Sequence, residues 1–235
     1  MTFATIEHAL EQLRSGRPVL VLDDEDRENE GDAILAAELA SPQWVGWMVR
    51  HTSGYLCAPM EDTRADRLGL PLMWSANTDP LRTRYTVSVD AATSTTGISS
   101  VERAATTRAL ADPRTTSADL IRPGHVLPLR ARDGGVLTRR GHTEAAVDLT
   151  RLAGLQAVGL IGEIVHDDGT CARTPDVLAL GQAEGLDVIT IESLANWRRS
   201  HEEQPSTTTP GSSTTRVSPT VSAQLPTRHG VFTMT

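Results

Sequence analysis

Seven carboxylates occur within ten consecutive residues near the start of the chain. They are Asp23, Asp24, Glu25, Asp26, Glu28, Glu30 and Asp32, with Arg27, Asn29 and Gly31 between them. Repulsion among so many anions has to be relieved by a cation, by Arg27 or by solvent, so the segment is a candidate divalent-metal site. A solvated acidic loop is the alternative. An EF-hand loop is excluded, because a loop that begins at Asp26 has Ala37 at its twelfth position, where a bidentate Glu is required.

A second polar segment, Arg139-Arg140-Gly141-His142-Thr143, has the character of an anion site. Thr143 is expected to cap the helix that follows, so that the positive end of this helix and Arg139 face the same anion. His142 would let one turn bind both an anion and a metal. An exposed basic turn is the alternative, and a P-loop is excluded because Gly-x4-Gly-Lys-Ser/Thr does not occur.

Two further residues suit proton transfer. Glu163 lies in an apolar run over residues 158–165, where a carboxylate is costly to bury without a partner. His125 is of a residue type that titrates near neutral pH, although a packed histidine at a strand edge is the alternative. Cys57 and Cys171 form neither a disulfide framework nor a zinc site by their spacing, and each is expected to be a small buried hydrophobe.

The acidic decapeptide at residues 23–32 resembles the signature of 3,4-dihydroxy-2-butanone 4-phosphate synthases, which convert ribulose 5-phosphate to a four-carbon phosphate and formate in riboflavin biosynthesis. Other segments resemble the same family in the same order. They are Arg-Pro-Gly-His at 122–125 with Pro-Leu at 128–129, Gly-Val-Leu-Thr-Arg-Arg-Gly-His-Thr-Glu-Ala at 135–145, Gly-Glu at 162–163 and Asp-Asp-Gly-Thr at 167–170. The resemblance covers roughly residues 1–200.

The resemblance implies that Glu28 and His142 bind a divalent metal, Mg²⁺ or Mn²⁺, and that His125 and Glu163 are catalytic. The residues expected to contact ribulose 5-phosphate are Arg27, Glu28, Asp32, Arg139, Arg140, Gly141, His142, Thr143 and Glu163. The metal would stabilise the enediolate that forms when the sugar loses a proton beside its carbonyl, before a skeletal shift releases C4 as formate. In this family a cysteine at the place of Cys57 lies near the substrate. A homodimer with the active site near the subunit interface is also expected.

The chain departs from the family pattern at three positions. Thr52 stands where Gly is usual, Arg84 where a small residue is usual, and Gly162 where Cys is frequent. None of these changes removes an assigned functional group, but a paralogue for another phosphosugar or another pathway stays open. Two rival functions are another magnesium-dependent phosphosugar enzyme, such as an isomerase or aldolase, and a catalytically silent subunit that binds a partner. Release of formate distinguishes the synthase from both.

Composition favours a cytoplasmic enzyme. The net charge of −8 and the pI near 5.3 argue against binding to nucleic acid, which needs a basic face. No apolar run approaches the ~20 residues that span a bilayer, and the N-terminus lacks the order of a secretory signal. We therefore expect neither a nucleic-acid partner nor a membrane partner.

Helical and strand patterns alternate irregularly along residues 1–200, which predicts one synthase domain with an α+β fold, a mixed sheet with packed helices. The predicted elements are a helix over 6–14 capped by Thr5, a strand over 18–22, a helix from Ser41-Pro42, a strand over 85–90, a helix to Leu110 with a capping box at 99–102, a central strand over 157–165 and a helix from Pro175 to Gly185. The acidic cluster follows the first strand, so a rigid scaffold is expected to hold it.

Residues 201–235 differ from the rest. Of the 16 residues over 205–220, 14 are Pro, Ser, Thr or Gly, which predicts a disordered tail. Residues 225–232 resemble the opening strand of the GTP cyclohydrolase II domain that follows the synthase in bifunctional members. The cysteines that bind zinc in that domain do not follow, so a vestigial second domain without cyclohydrolase activity is expected.

Overall fold

A seven-stranded mixed sheet forms the centre of the fold. In this computed structural model, which describes residues 3–202, 223–227 and 230–234, the strands are β1 (Val19–Leu22), β2 (Gly31–Ala36), β3 (Cys57–Met60), β4 (Val89–Ala91), β5 (Leu120–Arg130), β6 (Gly159–Glu163) and β7 (Val188–Thr190). Their order across the sheet is β4-β5-β3-β6-β2-β1-β7. The pairs β1–β7 and β3–β5 are parallel and the other pairs are antiparallel. The predicted α+β fold with a mixed sheet is confirmed.

Helices cover both faces of this sheet. Within the described residues they are α1 (Ile6–Arg14), α2 (Pro42–His51), α3 (Asp62–Arg67), α4 (Ser100–Ala111), α5 (His142–Leu152), α6 (Thr174–Glu184) and α7 (Ile191–Glu202). Successive side chains of β1 point to opposite faces, so Val19 and Val21 join one hydrophobic core while Leu20 and Leu22 join the other. The first core contains α1, α5 and α7, and the second contains α2, α3, α4 and α6.

Most predicted helix ends are confirmed. Thr5 and Ser41 accept hydrogen bonds from first-turn N–H groups of α1 and α2, and Gly185 ends α6 with a φ of 62°. Ser99 caps α4 as expected. The carboxylate of Glu102 accepts hydrogen bonds from the preceding loop, so the reciprocal half of the predicted capping box is replaced by a loop contact.

The predicted strand over residues 85–90 is wrong in its extent. The regular strand β4 covers only Val89–Ala91, and Tyr85 and Thr86 form isolated bridges. The physical reason is a change of register against β5: Tyr85 pairs with Leu129 but Val89 with Val126, one residue out of step, so the ladder is interrupted between them. Irregularities of this kind bend an edge strand and re-aim its side chains.

Strand β6 lies in the middle of the sheet, within the predicted central strand over 157–165. Asp32 of β2 lies opposite Glu163 in one ladder, and Cys57 of β3 lies opposite Ile161 in the other. The C-terminal end of β6 therefore brings polar side chains from both neighbouring strands together.

The chain divides into two units, Met1–His201 and Glu202–Thr235. In the second unit, β8 (Ala223–Thr227) and β9 (Gly230–Met234) form an antiparallel hairpin. The stretch over 205–220 lies outside the described residues, so its disorder stays a prediction, as do the domain boundaries. No helix in the described part of the chain is long and apolar enough to cross a membrane.

Candidate active site

A cavity of about 280 Å³ lies at the end of β6. Among the residues that line it are seven that the sequence predicts for the site: Arg27, Glu28, Asp32, Arg139, His142, Thr143 and Glu163. The other lining residues are Glu30, Tyr55, Cys57, Leu81, Thr83, Tyr85, Leu129, Ile161 and Gly162. Three predicted residues, Arg140, Gly141 and His125, are not part of the lining.

The acidic segment is a folded turn that is organised around Asp23. The Oδ2 atom of Asp23 accepts hydrogen bonds from the Arg27 guanidinium (2.9 Å) and the Glu28 N–H (3.0 Å), and Oδ1 accepts one from the Glu30 N–H (2.9 Å). The Asp23 side chain is fully buried. Arg27 also pairs with Glu28 at 3.0 Å. This turn directs Glu28 into the cavity, so the segment is not merely a solvated acidic loop.

Three potential ligand atoms converge beside this turn. One atom each from Asp23, Glu28 and His142 lie within 4.8 Å of one another. The Nε2 atom of His142 lies 3.1 Å from the Val21 carbonyl oxygen, which is a hydrogen-bond acceptor and therefore places the proton of a neutral ring on Nε2. The lone pair of Nδ1 is then left for a cation, and Nδ1 lies 3.6 Å from a Glu28 oxygen.

The electrostatics of this group also favour a cation. Asp32 is 2% exposed, and its Oδ1 atom is buried without a hydrogen-bond partner. Burial raises the pKa of Asp32 to about 7, against the opposing charge of His142 and with support from Glu163. Burial lowers the pKa of His142, but Asp32 and Glu28 outweigh this effect and raise the pKa to about 9. A divalent ion would supply the partner that the Asp32 Oδ1 atom lacks, and it would take over the positive charge that a protonated His142 provides in its absence.

The predicted helix cap in the anion segment is wrong. Thr143 is not the N-cap of α5, because the helix begins one residue earlier, at His142, and Gly141 occupies the N-cap position without a side-chain hydrogen bond. Thr143 is instead 5% exposed and lines the cavity within the first turn. The positive end of α5 therefore faces the cavity without a capping side chain of its own.

Arg139 is held from two sides at the rim of this cavity. Its Nη1 atom donates to Glu144 Oε2 at 2.6 Å, and Nε and Nη2 donate to the Leu81 carbonyl oxygen at 3.3 and 3.0 Å. Glu144 is 1% exposed and also accepts the N–H of Arg132 at 2.9 Å. A Cβ atom at Gly141 would lie 2.2 Å from Arg139 Nη1, so a larger residue there would require the Arg139 guanidinium to move. Arg140 points elsewhere and pairs with Asp24 at 3.3 Å.

Glu163 lies at the end of β6, facing Asp32 across the ladder. Its Oε2 atom accepts a hydrogen bond from the Ser53 hydroxyl at 3.0 Å. Cys57 lines the same wall, and its burial, with Glu163 and Asp32 nearby, raises the pKa of its thiol. Cys57 is therefore a neutral thiol near pH 7, whereas Glu163 combines access to the cavity with a polar partner.

His125 lies apart from the cavity. Leu129, on the same strand, lines the cavity, but His125 is four residues earlier. At the usual rise of a strand, the backbones of the two residues are about 13 Å apart. The ring of His125 pairs with Asp90 instead, at 2.7 Å between Nδ1 and Oδ2. A single copy of the chain therefore does not bring together the two residues predicted to be catalytic.

A family model of 3,4-dihydroxy-2-butanone 4-phosphate synthase matches residues 7–197, which is most of the chain. The chain belongs to this family. The riboflavin biosynthesis protein RibBA of Salinispora arenicola is 54% identical over 232 residues, covering 98% of this chain, and RibBA of Mycobacterium tuberculosis is 50% identical over 231 residues. The chain spans about half the length of these curated relatives, 52% in both cases.

Solved synthase structures have the same fold. A crystal structure of 3,4-dihydroxy-2-butanone 4-phosphate synthase in complex with two magnesium ions is 44% identical, with a TM-score of 0.81 over 85% of this chain and 99% of that one. The synthase of Candida albicans is 47% identical with a TM-score of 0.79, over 84% of this chain and 99% of that one. RibBX, a two-domain synthase from A. baumannii, is 36% identical with a TM-score of 0.82, over 98% and 65% of the two chains.

Several residues of this synthase site carry no signal of function in the sequence. Tyr55 and Tyr85 form one wall, with ring centroids 6.4 Å apart, and Leu81 and Thr83 come from the irregular segment that Arg139 holds. Sequence patterns mark buried or exposed faces of regular elements, but these residues precede or lie between such elements. Only the proximity of Tyr55 to Cys57 in the sequence points towards the site.

Proposed function

We propose that this chain converts D-ribulose 5-phosphate to L-3,4-dihydroxy-2-butanone 4-phosphate and formate, as a step of riboflavin biosynthesis. The observation that carries the proposal is the convergence of a metal-ligand set, an anion-binding helix terminus and Glu163 on one cavity at the end of β6. Membership of the synthase family and relatives named riboflavin biosynthesis proteins support the same reaction and pathway.

We assign the divalent cation to Glu28 and His142, with Asp23 as a third candidate ligand. Oxygen and imidazole donors beside a cavity suit Mg²⁺, and Mn²⁺ is the alternative that the same donors accept. The two magnesium ions in the related synthase structure support a divalent cation, though not a particular set of ligands. When bound, the ion acts as a Lewis acid that stabilises negative charge on adjacent oxygens of the substrate.

The chain's own residues supply binding and proton transfer. Arg139, fixed by Glu144, and the first turn of α5 are placed to bind the sugar phosphate, because a guanidinium and a helix N-terminus both favour anions. Arg27 and Asp32 line the part of the cavity beside the metal ligands and are assigned to the sugar hydroxyls. Glu163, oriented by Ser53, is the group that we assign to proton transfer.

The active form is proposed to be a homodimer in which His125 acts in the cavity of the second copy. His125 is 41% exposed in its side chain and lies on the outward face of β5 together with Ile121, which is 45% exposed. Ile98 and Val101, on the adjacent loop and on α4, are 53% and 59% exposed. A second copy that covers this apolar surface would explain both its exposure and the distance of His125 from its own cavity.

The reaction is tested by incubating the purified chain with ribulose 5-phosphate and Mg²⁺ and measuring formate and the four-carbon phosphate. An isomerase or aldolase would consume the sugar without formate, and a silent subunit would not consume it. Either result would refute the proposed reaction. A cytoplasmic location remains a prediction from composition.

The dimer is tested by mixing two variants of strongly reduced activity, His125→Ala and Glu163→Gln, after unfolding and refolding them together. If the two residues act across the interface, about a quarter of wild-type activity should return, because half of random dimers are mixed and each contains one intact site. If both residues act within one copy, a mixed dimer contains no intact site and activity stays strongly reduced.

A further inference from the structure

We propose that Asp90 is a positioning residue that fixes the tautomer and the orientation of His125, leaving Nε2 as the nitrogen that exchanges protons with the substrate. This inference rests on the catalytic role proposed for His125. Asp90 does not line the cavity and no sequence motif singles it out, so the assignment comes from geometry alone.

Asp90 holds His125 at two points. Its Oδ1 atom accepts the backbone N–H of His125 at 2.9 Å, and its Oδ2 atom lies 2.7 Å from the ring Nδ1. An ionised carboxylate only accepts hydrogen bonds, so the ring must present its proton on Nδ1. In a neutral imidazole the lone pair is then on Nε2, the nitrogen that suits a general base.

The backbone of the edge strand is shaped for this contact. Val89 lies opposite Val126, but its neighbour Asp90 lies opposite Ile121, so the register jumps between the two residues. A Cβ atom at Gly124 would lie 2.0 Å from the Val89 carbonyl carbon, which means that the two strands approach more closely than any larger residue allows. The irregularity thus directs the Asp90 carboxylate at His125, where a regular ladder would place it elsewhere.

Neighbouring elements enclose this carboxylate. Asp90 is 6% exposed, and the buried Arg103 of α4 lies near it, so that the Asp90 charge opposes the lowering of the Arg103 pKa by burial. Gly97 has a φ of 75°, and a Cβ atom there would lie 2.0 Å from Asp90 Oδ2 and 2.7 Å from His125 Nδ1. The loop that carries Gly97 therefore closes directly over the Asp90–His125 pair.

Glu102 in turn fixes this loop. Its carboxylate accepts hydrogen bonds from the backbone N–H groups of Thr95 and Gly97, at 2.5 and 3.1 Å, and from the hydroxyl groups of Thr95, Thr96 and Ser99. These five hydrogen bonds tie the loop to the first turn of α4. Three elements, β4, β5 and the loop before α4, thus constrain one imidazole ring, which is more than strand pairing requires.

The tautomer is tested directly by ¹⁵N NMR on the protein labelled at histidine, with His125→Ala used to assign the signals. In the wild-type chain we expect His125 to carry its proton on Nδ1. In Asp90→Asn, whose amide can donate to Nδ1, we expect the proton to move to Nε2. A wild-type ring with its proton on Nε2 would overturn the proposal, whether or not the chain releases formate.

The catalytic consequence is tested by kinetics on the same samples. We expect Asp90→Asn to lower kcat for formate release by about 10²–10⁴-fold with little change in KM, because the substrate contacts stay in place while the proton acceptor is lost. In the His125→Ala background the same substitution should change kcat by less than about twofold, since Asp90 acts through His125.

Two results of these kinetics would contradict the proposal. One is an Asp90→Asn variant with shifted NMR signals and unchanged kcat. The other is an equal loss of kcat in both backgrounds, which would mean that Asp90 only ties β4 to β5. If the wild-type chain releases no formate, the proposed reaction fails by itself, and the NMR measurement still decides how Asp90 holds the ring.

Discussion

Asp23→Asn tests whether the acidic turn is built around one buried carboxylate. The two oxygens of Asp23 receive three hydrogen bonds, from Arg27 and from the backbone of Glu28 and Glu30. An amide has one acceptor oxygen and one donor group, so at least one side of this arrangement is lost in either orientation of Asn. The turn should then present Glu28 less well to the metal.

The magnitude follows from the bonds on Oδ2. Hydrogen bonds to a charged acceptor contribute about 1.5–3 kcal/mol each. In Asp23→Asn the amide nitrogen can take the place of Oδ2, so that the Arg27 guanidinium and the Glu28 N–H both face another donor. Because these two groups are half-buried, we expect a loss of about 2–3 kcal/mol in the free energy of metal binding. At about 1.4 kcal/mol per factor of ten, this corresponds to roughly 30–150-fold weaker binding.

Asp24→Asn is the matched control, because it removes the same charge one residue later. Asp24 has a 33% exposed side chain, and its carboxylate pairs with Arg140 at 3.3 Å. Mn²⁺ binding is measured from the decrease of the free-ion EPR signal, and Mg²⁺ dependence from formate release. We expect less than about a fivefold change for the control. Equal effects of the two substitutions would refute the reasoning. The affinity for the metal would then depend on net charge and not on the hydrogen bonds that Asp23 accepts.

Four other predictions follow from the site. Glu163→Gln should lower kcat by about 10²–10⁴-fold while Mn²⁺ binding survives; an unchanged kcat with a shifted melting temperature would rule out proton transfer. Gly141→Ala should raise KM for ribulose 5-phosphate by about tenfold or more, because the new Cβ would lie 2.2 Å from Arg139 Nη1 and would displace the guanidinium. An unaltered KM would mean that Arg139 does not bind the phosphate. Metal binding should strengthen as pH rises from 6 towards 9, because the pKa of His142 is raised to about 9 and the ring must lose a proton before it can bind a metal. Calorimetry in two buffers should detect this proton release. Its absence would argue against His142 as a ligand. Removing residues 203–235, which leaves α7 whole, should preserve the melting temperature and formate release, and loss of either would show that residues 203–235 contribute to stability or activity.

The local parts of the site could be predicted from the sequence because their residues are contiguous. The acidic turn follows a buried strand, and the anion segment opens a helix, so both need only short-range geometry to form. Even there, the sequence did not predict the residue at which helix α5 begins. The helix begins at His142 with Gly141 as its N-cap residue, so Thr143 lies in the first turn and lines the cavity.

Residues that are distant in the sequence could be combined only through the sheet. Asp32 and Glu163 face each other because β2 and β6 are neighbours in an order that the chain sequence does not reveal. Arg139 is oriented by Leu81, and Asp90 meets His125 through a break in register. Each of these contacts depends on which strands pair and where the register shifts. The packing of the whole core determines both.

The sequence by itself determined the chemistry of this protein: an acidic turn, a basic helix start and a carboxylate in an apolar strand, in an order that resembles one family of synthases. The tertiary structure alone decided which of these groups meet. It brought Glu28 and His142 together and left His125 outside the cavity. It also made Asp23 the residue that accepts the hydrogen bonds of the acidic turn. The reason is that residue type fixes what a side chain can do, whereas the distance between two side chains is set by strand order and register, which many weak contacts choose together.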